Sequence, residues 1–167
     1  MIKSLLTISL ITTLNLTLSA CGTMDTAPQD YETYIHQGDT FKHLSLTDIH
    51  GQTYDLSKIN SKKLVIFFAT WCSDSQRMFN QLNTSSLITD KTLTILAIGR
   101  EETNASLAQF AKNYQLTFPL ISDEQRIIYS QYANKGVPRL ILLDEHNRVV
   151  NTLIGETDNI IEQVKWN

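Results

Sequence analysis

Cysteine is scarce in this chain, with two in 167 residues, and proline is nearly as scarce, with three. Two cysteines allow one disulfide at most, so the fold must rest on a packed core. Basic clustering is also missing. The net charge is −3 and the lysines and arginines are scattered, which argues against nucleic acid as a partner, since a phosphate backbone needs a concentrated cationic face. There is no internal repeat and no low-complexity tract. His36, His43, His50 and His146 show no ligand spacing with one another or with Cys72, so they read as solvated loop residues and no metal or other cofactor is expected. What remains is ordinary for one soluble globular domain: 42% hydrophobic and 19% charged residues.

The first twenty residues differ from the rest. Lys3 supplies a positive start, and Leu5 to Leu18 is an uncharged run of mostly Leu, Ile, Thr and Ser. It is too short and too mixed for a membrane span and suits the apolar region of a signal peptide. It ends in Leu18-Ser19-Ala20-Cys21, which resembles the lipobox of bacterial lipoproteins. The resemblance implies cleavage before Cys21 and acylation of its sulfur. An ordinary secretory signal with a chance cysteine is the plainer alternative. Gly22 to Thr40 is polar and reads as a tether of roughly 25 Å reach, although Tyr31, Tyr34 and Ile35 are apolar enough to pack as a short helix. The expected organisation is therefore 1–20 signal peptide, 21–40 lipidated N-terminus and tether, and 41–167 folded domain. If Cys21 carries lipid, Cys72 is the remaining free thiol. A Cys21–Cys72 disulfide is the competing arrangement.

Within the domain, Phe41 to Tyr54 alternates around a turn at Asp48–Gln52 and predicts a β-hairpin. Lys63–Thr70 and Leu93–Gly99 are continuous apolar runs, read as buried strands. Helices are expected over Ser73–Leu82, Asn104–Tyr114, Glu124–Tyr132, with Ile127, Ile128 and Tyr132 inward, and Glu156–Trp166. Pro119 opens a short extended piece. Pro138–Asp144 and Arg148–Gly155 form an antiparallel pair around a Glu-His-Asn turn. The alternating half demands a parallel sheet covered by helices, and the C-terminal half adds antiparallel strands.

Three segments in this order, "LSLTDIHGQTYDLSKI", "VIFFATWCSDS" and "GVPRLILLDEHNRVV", resemble the thioredoxin fold. More narrowly they resemble the TlpA/ResA-like and redoxin (AhpC/TSA) branch of membrane-tethered thiol-disulfide oxidoreductases. The resemblance covers about Phe41 to Trp166. It implies an α/β fold with a central mixed sheet flanked by helices and an N-terminal β-hairpin extension. It also implies a nucleophilic Cys72 behind Trp71, which would shield one side of the sulfur, and a cis-proline at Pro138. The backbone of Val137 would then lie beside Cys72, where a substrate strand pairs with it. A trans proline entering an edge strand is the other reading of Pro138.

Three departures bear on chemistry. Ser75 stands where the family has its second, resolving cysteine. Met78 stands where these proteins often carry a proton-handling glutamate, and Asn80 replaces a helix proline. A helix N-terminus favours a thiolate, whereas Asp74 places an opposing negative charge nearby.

The resemblance implies thiol-disulfide exchange with protein or small-molecule disulfides and thiols. Without Ser75 as a thiol, an external reductant must finish the reaction, which is monothiol reductase or isomerase behaviour. A silent scaffold in which Cys72 is only a small apolar residue is the alternative. A thiol peroxidase fits less well, because its T-x-x-C pattern needs Thr near 72 and Cys near 75. The implied location is extracytoplasmic, held to a membrane by the N-terminal lipid, with Gly22 resembling outer-membrane sorting. The stretches Lys62-Lys63 and Arg100-Glu101-Glu102 read as solvated strand ends. Arg139 stands where such proteins often carry Thr, and reads either as an attractor of acidic substrate, a stabiliser of the thiolate, or a surface arginine.

Overall fold

A computed structural model describes residues 30–155 and 157–166 of the chain. The N-terminal hairpin is β1 (Ser45–Thr47) and β2 (Thr53–Asp55), antiparallel, with Asp48 accepting from the N–H groups of His50 and Gln52 inside the turn. The main sheet holds β3 (Lys62–Phe68), β4 (Leu93–Arg100), β5 (Leu120–Asp123), β6 (Arg139–Leu143) and β7 (Val149–Ile154) in the order β5-β4-β3-β6-β7. Strands β3, β4 and β5 run parallel, and β6 and β7 are added antiparallel. Helices α1 (Ser73–Thr84) and α2 (Asn104–Tyr114) make the crossovers β3-α1-β4 and β4-α2-β5. This is the expected mixed α/β sheet.

Strand pleating divides β3 between two cores. Leu64, Ile66 and Phe68 face Met78, Phe79 and Leu82 of α1 and Leu107 and Phe110 of α2. Val65 and Phe67 face the opposite layer, built from Phe41, Leu46, Leu56, Tyr129 and Tyr132. Each large apolar side chain buried this way stabilises the fold by roughly 1.5–3 kcal/mol. The central strand is therefore the most constrained piece of chain, and it leads directly into Cys72.

Four expectations need correction. Glu124–Tyr132 is not a helix: it contains one 3-10 turn, Tyr129–Gln131. The Asp123 carboxylate takes the N–H groups of Ile128 and Tyr129 at 3.0 and 2.7 Å, Arg126 has φ +60°, and Ile127 is exposed. The side chain at Asp123 thus satisfies amides that would otherwise start a helix. At the C-terminus, residues 157–166 contain a 3-10 turn, Ile160–Gln163, and Trp166 Nε1 instead donates to Leu143 O at 2.9 Å. Lys63 is fully buried, donating to Ser61 O and Glu145 O at 3.0 and 3.2 Å, and burial lowers its pKa. Lys62 pairs with Asp90 at 3.1 Å and lies 4.8 Å from the Trp166 ring centroid.

The fourth concerns residues 30–40, assigned above to a tether. They pack on the domain, with Ile35 buried and with β-bridges Thr33–Ala133 and Thr40–Arg148. They do so as extended chain and not as a helix. Cys21 and the signal segment lie outside the described residues. No described helix is long and apolar enough to cross a membrane.

Candidate thiol site

Strand β3 ends at Phe68, and the chain turns through Ala69-Thr70-Trp71 so that Cys72 is the N-cap of α1. The turn is closed by Cys72 N–H donating to Ala69 O at 3.2 Å, and Cys72 C=O accepts from Gln76 N–H at 3.0 Å. Cys72 makes no side-chain cap, so its sulfur is directed elsewhere. Sγ lies 3.2 Å from Val137 O and is half-buried. The Val137–Pro138 peptide bond is cis. The structure therefore brings Cys72, Val137 and Pro138 together from positions 65 residues apart in the chain.

Pro138 is backed by Gly155 at the end of β7. Gly155 N–H donates to Pro138 O at 2.8 Å, and a Cβ at position 155 would sit 2.2 Å from Pro138 Cγ. Only glycine allows that approach.

Ser75 is fully buried, in the first turn of α1, and its Oγ accepts weakly from Ala69 N–H at 3.4 Å. Met78 is also buried, packed in the core, so no acid stands there. Asp74 is ion-paired to Arg77 at 2.7 Å, which offsets the negative charge it brings to this helix start. Trp71 is 65% exposed, and the Arg100 guanidinium lies 6.0 Å from its ring centroid.

Glu102 is the residue that sequence reasoning missed. It is 5% exposed, not a solvated strand end. Its Oε1 accepts from both the N–H and the Oγ–H of Thr70, each at 2.7 Å, and its Oε2 accepts from Ser106 Oγ at 2.6 Å. Gln76 Nε2 donates to Thr70 O at 2.8 Å. Thr70, two residues before the thiol, is thus held at its N–H, hydroxyl and carbonyl. The signal that finds Glu102 is strand register. Phe68 of β3 pairs with Gly99 of β4, so Thr70 and Glu102 leave the sheet at the same edge.

Arg100 and Arg139 also depart from expectation. Arg100 pairs with Glu101 at 2.7 Å and lies 5.2 Å from the Tyr129 ring centroid. Arg139 is neither a surface residue nor free to meet substrate or thiolate. It is buried, and it donates to Thr33 Oγ1 and to the carbonyls of Glu32, Lys135 and Gly136.

His43, read as a solvated loop residue, is partly buried, and burial lowers its pKa. Its Nδ1 is 2.7 Å from Tyr132 Oη, which already accepts from the N–H groups of Lys42 and His43. A hydroxyl proton directed at Nδ1 completes this set of bonds and suits the neutral ring that burial favours. Among the described residues, no group of three or more His, Cys, Asp or Glu is placed to hold a metal ion.

The chain is 28% identical over 113 residues to the thiol-disulfide oxidoreductase ResA of Bacillus cereus, covering 66% of this chain and 65% of that protein. It is 29% identical over 126 residues to ResA of Geobacillus kaustophilus, covering 74% and 72%. The thioredoxin domain of a thiol-disulfide oxidoreductase from Bacteroides vulgatus superposes with a TM-score of 0.62 at 20% identity, over 77% of this chain and 97% of that one, which shows a thioredoxin-like fold. With residues 37–152 matching its model, the chain belongs to the AhpC/TSA family.

Proposed function

We propose that the protein carries out thiol-disulfide exchange through one nucleophilic sulfur, Cys72. The observation that carries this reading is the position of Sγ, half-buried at the start of α1 and 3.2 Å from Val137 O, with Ser75 one turn further on. Relatives named as thiol-disulfide oxidoreductases support the reaction class. In the first step the Cys72 thiolate attacks one sulfur of a substrate disulfide. The substrate S–S bond breaks, a Cys72–substrate disulfide forms, and the other substrate sulfur leaves as a thiolate that takes a proton from water. Ser75 cannot complete the cycle, because its hydroxyl is barely ionised at neutral pH. A thiol from outside attacks the mixed disulfide and frees one sulfur. For net reduction the two electrons come from a pair of external thiols, which end as a disulfide. For isomerisation, another thiol of the substrate itself attacks and Cys72 returns unchanged.

A substrate chain would pair in extended form with the Val137 backbone beside the sulfur. Half-burial of Cys72 argues against the silent-scaffold alternative, which needs an inaccessible thiol. The test is incubation of the protein with oxidised glutathione, read by intact mass. Wild type is expected to accumulate a lasting mixed disulfide and to turn over poorly. Ser75→Cys should form an internal disulfide and gain turnover, with Cys72→Ser losing both behaviours. A folded protein whose Cys72 resists modification would leave the scaffold reading in place.

The proposed location is outside the cytoplasm, anchored at a membrane by lipid on Cys21, with Gly22 favouring the outer membrane where a cell has two. Because the folded part begins by Asp30, the nine residues from Cys21 reach at most about 30 Å when fully extended. The thiol domain would then sit close to the lipid surface.

A further inference from the structure

The family match begins at residue 37, yet the chain before it borders the thiol site. Residues 30–34 lie antiparallel to 132–134. Thr33 bridges Ala133, Tyr34 N–H donates to Tyr132 O at 2.8 Å, and Glu32 N–H donates to Asn134 Oδ1 at 2.9 Å. Asn134 Nδ2 returns a bond to Asp30 O at 3.0 Å. Arg139, directly after Pro138, joins this strap to the proline loop. Its guanidinium donates to Thr33 Oγ1 at 2.6 Å and Glu32 O at 3.1 Å on one side, and to Lys135 O at 2.7 Å and Gly136 O at 3.2 Å on the other. A guanidinium keeps its charge, so a buried one must be met by acceptors. The strap supplies two of them. The arginine at 139 and the docked strap therefore account for each other.

The strap also places Tyr31. Its ring lies on Gly136, where a Cβ would come within 2.5 Å of Tyr31 Cε1, and it remains 46% exposed. The next residue, Val137, is the one whose carbonyl touches Cys72 Sγ. Trp71, adjacent to Cys72 in the chain, is 65% exposed. Each ring has a cation beside it, Lys135 Nζ at 5.1 Å for Tyr31 and Arg100 at 6.0 Å for Trp71, which favours a fixed ring position.

We infer that Tyr31 is a specificity-determining residue that, with Trp71, walls the approach to Cys72 and selects extended peptide disulfides whose cysteine is flanked by apolar side chains. This rests on the exchange reading above. A peptide paired along Val137 runs on past Gly136, and a flanking apolar side chain is then buried on the Tyr31 ring. A small disulfide reaches Sγ without extending that far.

The test compares two disulfides with the same leaving group, a methyl 2-thiopyridyl disulfide and a Leu-Cys-Phe peptide 2-thiopyridyl disulfide, by release of thiopyridone from the intact mature chain. In wild type the peptide is expected to react faster than the methyl compound. Tyr31→Ala should lower the peptide-to-methyl rate ratio about fivefold or more, and Tyr31→Phe should keep the wild-type ratio. Asn134→Ala, which loosens the strap without touching the ring, should reduce the ratio in the same direction. An unchanged ratio in both Tyr31→Ala and Asn134→Ala, or an equal slowing of both compounds, would overturn the assignment of Tyr31 while leaving exchange itself intact. If wild-type Cys72 reacts with neither compound, the exchange reading fails and this inference with it.

Discussion

Replacing Glu102 tests whether a buried carboxylate holds the thiol loop in place. In Glu102→Ala, the Thr70 N–H and the hydroxyls of Thr70 and Ser106 lose their acceptor. The two hydroxyls can rotate to other partners, but the backbone N–H cannot. Leaving this part-buried donor unsatisfied costs about 1–3 kcal/mol, and loss of bonds to a charged acceptor adds to it. The expected destabilisation is therefore about 2–4 kcal/mol, a fall in Tm of roughly 8–15 °C for a domain of this size. Glu102→Gln is the informative partner. Its amide oxygen still accepts both Thr70 bonds, and the Ser106 hydroxyl can turn to accept from the amide nitrogen, so about 1 kcal/mol is expected. The assay is thermal unfolding by circular dichroism, with the rate of Cys72 labelling by a disulfide reagent measured at a temperature where each variant is folded. Glu102→Ala should alter the labelling rate as the loop at Thr70 relaxes, and Glu102→Gln should stay close to wild type. Equal, small Tm changes in both variants, with no change in labelling, would refute the idea that this carboxylate positions the thiol.

Three further predictions are separately testable. Gly155→Ala puts a methyl group against Pro138 Cγ, so the proline loop must shift; lower stability and a changed Cys72 labelling rate are expected, and a variant matching wild type in both would remove Gly155 from the site. Burial raises the Tyr132 phenol to about 12, so its contribution is present below about pH 10 and lost as pH rises towards 12; about 2–3 kcal/mol should disappear across that window in urea unfolding, and Tyr132→Phe should show a shallower alkaline slope despite lower stability at pH 8. For the proposed anchor, Cys21→Ala should release the protein from the membrane fraction or leave an unprocessed precursor, an outcome contradicted by a wild-type protein that is fully soluble with a free Cys21 thiol.

Much of the scaffold was legible in the chain because period and chemistry agree. The apolar runs at Lys63–Thr70 and Leu93–Gly99 mark strands buried on both faces, and the apolar spacing over Asn104–Tyr114 marks α2, to which the structure adds Thr103 as N-cap. The lone Cys72 at a strand-to-helix junction, and a proline preceded by Val137, were likewise visible as candidates. The segments after Asp123 and after Gly155 were misread as helices because apolar residues there serve tertiary packing. Asp123 captures two amides, and Trp166 reaches back to Leu143.

Linear sequence determined which residues are candidates for the proposed chemistry: one free thiol candidate, a serine where a second thiol would stand, and no acid at Met78. Tertiary structure alone decided what surrounds them. Lys63, Glu102 and Arg139 look like surface charges, since a charged side chain carries no local mark of burial. Beside local partners, each also has one distant in the chain, at Glu145, Thr70 and Glu32–Thr33 respectively, brought close by strand register and by the docking of residues 30–34. A buried charge is tolerated only where acceptors or donors converge on it, and that convergence exists only once the sheet has formed.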